Sequence, residues 1–241
     1  MKREKKLWII FALVMSISFA VLGYYGYEIY QQAPPVPREI ISDSGKIIFS
    51  ESEIKDGQNI WQSIGGQEVG SIWGHGAYVA PDWTADWLHR EAIFILDQFA
   101  QKDFGKKFKE LDTEKQAALK IRLQRDVRTN RYNADTGVLK ISENRLAAIE
   151  SLSEYYKSLF TNDPKFDTLR EQYAIPKNSV KDLERMHKMN AFFFWATWAT
   201  VTNRPDASIS YTHNWPSDEL VGNTATTELL AWSGVSIILL I

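Results

Sequence analysis

Apolar and polar positions alternate in three regimes along this chain. From Leu7 to Tyr27 (LWIIFALVMSISFAVLGYYGY) no residue is charged. At about 1.5 Å per residue, a helical run of that length crosses a hydrocarbon core of roughly 30 Å. The pattern predicts a transmembrane helix. Lys2, Arg3, Lys5 and Lys6 precede it, while Tyr24, Tyr25, Tyr27 and Tyr30 follow as an aromatic belt. That asymmetry places the N-terminus in the cytoplasm and everything after Gln31 outside. A cleaved signal peptide is the alternative, disfavoured by the length of the run and by Gly23-Tyr24-Tyr25, a poor cleavage site. At the other end, Leu229 to Ile241 (LLAWSGVSIILLI) is again uncharged but reaches only about 20 Å as a helix. It reads as the start of a second membrane helix, with an apolar tail packed in a soluble core as the alternative.

Between these runs the periodicity is that of a soluble, mainly helical domain. Ala33-Pro34-Pro35-Val36-Pro37 forms a stiff linker, and Ile40 to Phe49 reads as a small hairpin around Ser44-Gly45. Ser50 and Glu53 stand in capping-box spacing ahead of Ile54, Gly57, Trp61 and Ile64, which share one helix face ended by Gly65-Gly66. Thr84, behind Pro81, is the candidate cap of a helix with a Leu88, Ala92, Ile95, Phe99 stripe, ending near Gly105. Thr113 and Gln116 start a third helix that carries Lys115, Lys120, Arg122, Arg125 and Arg128 on its exposed side. That side is either a contact for anionic lipid headgroups or an ordinary solvated face. Thr129 to Ile141 reads as a second hairpin with Asn133 to Gly137 at its tip. Ser142 caps a fourth helix with Leu146, Ile149, Leu152 or Ser153, Tyr156 and Leu159 along one face. The last long helix starts from Ser179, with Asp182 three on, is amphipathic at Leu183 and Met186, and turns apolar all round from Met189 to Val201. A helix without a polar face is buried on every side or lies against lipid, and a central core helix is the favoured reading. The predicted organisation is a cytoplasmic 1–6, a membrane helix 7–27, a linker 28–38, an extracytoplasmic domain 39–225 and the beginning of a membrane helix at 229–241.

Composition narrows the chemistry. A net charge of -2 over 241 residues argues against a nucleic-acid partner. The absence of cysteine excludes disulfides, thiolate metal sites and thioether-attached haem. Asp56 to Arg90 is dense in Gly and Trp, with Trp61, Trp73 and Trp83 interleaved with Gly65, Gly66, Gly70, Gly74 and Gly76, as suits backbone wrapped around something flat. His75, His89, His187 and His213 are the only imidazoles, and no pair has the short spacing of a zinc or haem site. His89-Arg90-Glu91 offers a local charge cluster, although consecutive helical residues do not face one another. With no nucleophile-base pair, phosphate loop or dinucleotide fingerprint, the residues describe an anchored helical domain without an active site, catalytic residue, cofactor-binding residue or metal ligand of its own.

Asp56 to Arg90, FFFWATWATVTNRP (Phe192 to Pro205) and HNWPSDELVGN (His213 to Asn223) together resemble the N-terminal part of the quinol-dependent nitric oxide reductases, single-chain members of the haem-copper oxidase superfamily. The first stretch also resembles the haem-binding region of the cytochrome c subunit of the two-subunit enzymes. There a Gly-x-x-x-Trp helix leads into C-x-x-C-H and Gly-x-Gly-Ala-Tyr-x-Ala-Pro, and Gly57, Trp61, Gly74, Gly76, Ala77, Tyr78, Ala80 and Pro81 match that frame. Counted from Trp61, the two thioether cysteines and the axial histidine fall at Gly66, Val69 and Gly70. The resemblance therefore implies a mainly α, cytochrome c-like domain with a small hairpin and without haem, its space filled by aromatics, with Trp73 the expected filler.

For the complete enzyme the resemblance implies denitrification chemistry, the reduction of two NO to N2O and water with quinol as donor. The b-type haems and non-haem iron would be held by later membrane helices. This segment would serve as anchor and extracytoplasmic cap, with the bilayer, those helices and quinol as partners. A working monohaem cytochrome is excluded by the missing cysteines. The competing reading is a free-standing membrane-anchored interaction or assembly domain.

Overall fold

The computed structural model describes residues 2–74 and 81–240. It divides into two units, Met1–Pro35 and Val36–Ile241. The first is helix α1, Lys2–Gln32, whose apolar side chains, half-buried Met15 apart, are exposed. Among the described residues it is the one helix long and apolar enough to cross a membrane. It runs past Tyr27 into the predicted linker because nothing before Pro34 breaks a helix, and the residue preceding a proline is pushed out of helical conformation.

In the second unit, β1 (Glu39–Ser42) and β2 (Ile47–Ser50) form the expected hairpin, and β3 (Tyr132–Asn133) and β4 (Val138–Ile141) form the other. The two hairpins also join each other. β1 pairs in parallel with β4 from Glu39 opposite Val138 to Ser42 opposite Ile141, giving a four-stranded sheet of order β2-β1-β4-β3. Ile40, Phe49, Leu139 and Ile141 are buried in the main core, the alternation of a sheet covered on one face.

Helix α2 (Glu51–Ser63) opens with the predicted capping box. The Ser50 hydroxyl accepts from the Glu53 N–H, while Glu53 Oε2 accepts from the Ser50 N–H at 2.7 Å. Burial pushes the Glu53 carboxyl up, but the hydrogen bonds from Ser50, with His187 adding to them, outweigh burial and hold it below its ordinary value. A depressed carboxylate contributes stability above its unfolded pKa and loses it as pH falls through the folded value. Ser50→Ala is therefore expected to cost about 1 kcal/mol at neutral pH. The gap from the parent chain should narrow as pH drops below 4.5, the ordinary value for Glu; paired thermal melts at neutral and acidic pH measure it.

Helix α3 (Trp83–Phe104) ends at Gly105 in the left-handed region, as expected, and buries Leu88, Ala92, Ile95 and Phe99. Its cap is Asp82 rather than Thr84. Helix α4 (Thr113–Arg128) is capped by Asp112 rather than Thr113, while Gln116 donates to the Phe108 and Leu111 carbonyls. Helix α5 (Glu143–Phe160) keeps its predicted Ser142 cap. A short α6 (Asp167–Gln172) follows the Asp163-Pro164 restart. Helix α7 (Leu183–Val201) starts at Asp182 rather than Ser179, whose hydroxyl donates to the Phe160 carbonyl instead. At α3, α4 and α7 an aspartate, accepting from a first-turn N–H at 2.9 Å, takes the positive end of the helix.

Helix α7 is the predicted core helix. Apart from half-buried Trp195, every residue from Met189 to Val201 is buried, among α2, α3, α4 and α5. Leu183, assigned to its inner face, is instead 62% exposed, because the helix begins outside the core and enters it only at Met186. The α2 crossing is close enough that a Cβ on Gly57 would lie 2.9 Å from Phe192 Cβ and overlap the Lys188 carbonyl. After the loop 202–226 comes α8 (Thr227–Leu240), an apolar helix with mostly exposed side chains.

Candidate functional site

The Gly- and Trp-dense stretch folds around one indole. Trp83 is fully buried and stacks on Phe193 at 5.8 Å between centroids, with Phe160 at 5.2 Å and the edges of Tyr156 and Tyr173 completing its surroundings. Its indole N–H donates to the Val69 carbonyl at 3.1 Å. Gly70 has φ +140, and a Cβ there would overlap the Trp83 ring. The backbone at 69–70 thus lies directly against the tryptophan.

Asp82 sets this arrangement. One carboxylate oxygen caps α3 at the Ala85 N–H and accepts the Thr84 hydroxyl; the other accepts the Ser71 hydroxyl at 2.7 Å and the Gly74 N–H at 2.5 Å. Ser71 N–H donates to the Pro81 carbonyl and Trp83 N–H to the Ser71 carbonyl, so the segment is closed at its neck. Trp73, the expected filler, is not at the centre. It sits half-buried at the rim with φ +56, donating from its indole to the Ala196 carbonyl at 3.0 Å beside Trp195. Trp83 goes inward instead, because it occupies the first helical position after a cap that is tied back to Ser71. His75, Gly76, Ala77, Tyr78 and Ala80 lie outside the described residues.

Residues 37–217 match the family of NorB cytochrome c-like domains, found in nitric oxide reductase. The chain belongs to that family. A comparison with curated proteins gives no match. In this cytochrome c-like domain, Gly66 to Glu68 form a single 3-10 turn between α2 and the Trp83 pocket, and Val69 and Gly70 form that pocket's wall.

The described histidines are dispersed, two of them into pairs with carboxylates. His89 Nδ1 meets Asp218 at 2.9 Å, His187 Nε2 meets Glu53 at 3.3 Å while its ring packs on Phe49, and His213 sits half-buried with φ +56. Among the described residues no three His, Asp or Glu side chains converge as a metal set. His89-Arg90-Glu91 splits three ways: His89 to Asp218, Arg90 to Asp86 at 2.8 Å, and Glu91 to Arg145 at 2.6 Å. Asp86 also accepts the buried Tyr156 hydroxyl at 2.7 Å. Beside it lies a cavity of about 380 Å³ between α3 and α5. There the Arg90 guanidinium covers the Tyr155 ring at 3.9 Å. Burial, then the Asp86 charge, push the Tyr155 hydroxyl up to about 12, against the opposing pull of Arg90.

Arg128 departs most from expectation. Assigned to the exposed side of α4, it is half-buried and clamps the loop after α7. One terminal nitrogen donates to Asn223 Oδ1 at 2.8 Å and the Gly222 carbonyl at 3.3 Å; the other donates to Asn214 Oδ1 and the Ser208 carbonyl, each at 3.1 Å. Its acceptors are neutral oxygens, and burial pushes its pKa down from the ordinary arginine value. Asn223 in turn donates to the Thr200 and Pro216 carbonyls and pairs with Asp218 through the backbone. A lysine cannot reproduce the fork. Arg128→Lys is expected to lower the local stability of 203–223 by about 1.5–3 kcal/mol, read as faster amide exchange at Asn223 with α7 unchanged. Equal protection in both chains would mean that the loop is held without the clamp.

Proposed function

We propose that this chain is the membrane anchor and extracytoplasmic cap of a quinol-oxidising nitric oxide reductase, and that its cytochrome c-like domain carries no haem. The observation that carries the reading is the Trp83 indole packed against Val69 and Gly70. Those residues stand where the resemblance puts a haem-attaching cysteine and the axial ligand. Val and Gly offer no thiol or imidazole, and the aromatic cluster from Phe160, Tyr156, Phe193 and Trp83 occupies the adjoining space. The residues present do not fit a c-type haem. In this reading α1 enters the membrane from the cytoplasm. Reduction of two NO to N2O and water, using two electrons and two protons, takes place at b-type haem and non-haem iron held by further membrane helices of the same enzyme. The segment supplies anchoring and a solid cover on the outer side.

The test is a reduced-minus-oxidised visible spectrum of the full chain purified from membranes. A flat spectrum supports the haem-free cap. A haem band stoichiometric with protein overturns it and directs attention to the histidines as axial ligands.

A further inference from the structure

Helix α4 presents a second surface that the cap reading leaves unused. Residues 102–131 hold ten Lys and Arg against five Asp and Glu, a local excess of five positive charges in a chain of net charge -2. On the outer side of α4, Ala117 and Ala118 stand four and three residues before Ile121; all three are exposed, Ile121 by 59%, with Arg122 and Arg125 alongside. Phe104 adds a second exposed apolar group, 40% accessible, with the Lys115 ammonium 5.6 Å from its ring. An exposed apolar stripe bordered by cations is the composition of a face that lies on an anionic bilayer.

Beside the stripe is a cleft of about 400 Å³ lined by Arg122, Arg125 and Arg131, by Asp126, and by Ser142 and Asn144 at the N-terminal end of α5. Two of the arginines are held in place. Arg122 donates to Asp103 at 3.0 Å and lies 3.9 Å over the Phe99 ring, and Arg131 meets Asp43 at 3.2 Å and Asp126 at 3.6 Å. Asp126, the one carboxylate in the lining, also accepts the Ser142 hydroxyl at 2.7 Å. Arg125 has no side-chain partner among the described residues. A preformed guanidinium cleft at the positive end of a helix suits a phosphate group.

The clamp ties the C-terminal end of α4 to the chain that leads into α8. Arg128 holds Gly222 and Asn223, and α8 begins at Thr227. Four residues span at most about 14 Å. We propose that the outer face of α4 and its arginine cleft bind the anionic phosphate headgroups of the leaflet that α8 enters. The inference rests on the reading of α8 as a membrane segment.

The chain has no cysteine, so single labels can be placed at will. Full-length Ala118→Cys, Asn59→Cys and Ile238→Cys, each carrying a nitroxide, would be reconstituted in phosphatidylcholine nanodiscs with rising phosphatidylglycerol. Collisions with oxygen, which concentrates in lipid, and with a water-soluble nickel chelate report the surroundings. The Ile238 label should favour oxygen and the Asn59 label nickel in every disc. The Ala118 label should move from nickel to oxygen as phosphatidylglycerol rises. Arg122→Gln with Arg125→Gln should raise the lipid fraction needed by roughly fivefold per guanidinium removed, and the paired lysine variants should keep most of the response. An Ala118 label that stays in water while Ile238 is in lipid overturns the site and leaves the membrane reading standing. A response to inorganic phosphate in pure phosphatidylcholine discs, but not to phosphatidylglycerol, makes it a free-anion site and overturns the lipid assignment. An Ile238 label in water removes the membrane reading and the proposal with it.

Discussion

Replacing Arg145 by methionine is expected to destabilise the domain by about 3–5 kcal/mol, the usual cost of stranding one member of a buried ion pair. Glu91 and Arg145 are 1% and 3% exposed, joined at 2.6 and 3.3 Å, with the guanidinium 4.9 Å over the Phe194 ring. Arg145→Met leaves the Glu91 carboxylate without a countercharge between α3, α5 and α7. Glu91→Leu combined with Arg145→Met removes both charges and is expected to recover most of the loss, because the pair's attraction in the parent is set against its own desolvation. Thermal unfolding of the full chain in detergent, followed by far-UV circular dichroism, separates the variants. A single replacement that melts within a degree or two of the parent would mean that water reaches the pair.

That ion pair illustrates where reading the chain alone stops. Periodicity locates α2, α3, α5 and α7 because their buried positions recur at helical spacing, and the apolar run of α7 indicates its central position. Both hairpins are legible from their turn residues. The parallel pairing of β1 with β4 is not, since nothing local records which strand edge meets which across about a hundred residues of sequence. Helix starts differ from expectation at Asp82, Asp112 and Asp182 for one reason. Spacing favours Thr113 and Ser179, and the position behind Pro81 favours Thr84, whereas an aspartate carboxylate also meets the helix dipole. An aspartate one residue ahead of the candidate at Thr113, two ahead at Thr84 and three after Ser179 is the available signal.

The site is legible in part. Its Gly and Trp content is visible, and so is its frame, but not which indole turns inward. Trp73 and Trp83 have the same chemistry, and only the neck closed by Ser71, Pro81 and Asp82 sends Trp83 into the core and leaves Trp73 at the rim. Arg128 is hidden for a related reason. On α4 it shares a charge pattern with truly exposed Arg122 and Arg125, and its five oxygen partners come from a loop some eighty to ninety-five residues later in sequence.

Trp83→Ala is expected to lower stability by about 3–5 kcal/mol, seen as a thermal midpoint roughly 10 °C lower for a domain of this size. The ring has no solvent face, so its removal leaves a void among Phe160, Tyr156, Tyr173 and Phe193, and the Val69 carbonyl loses its indole donor. Gly70→Ala attacks the same contact from the other side, since its Cβ must enter the ring and its φ of +140 is one that side chains rarely adopt. If ring and glycine share one space, the two changes cannot add. With the indole gone the alanine methyl has somewhere to go, and only the backbone strain remains. The double variant should then be more stable than the sum of the singles by about 1–3 kcal/mol. Strict additivity would mean that Trp83 does not fill the space against Gly70, and the main support for a haem-free cap would fall with it.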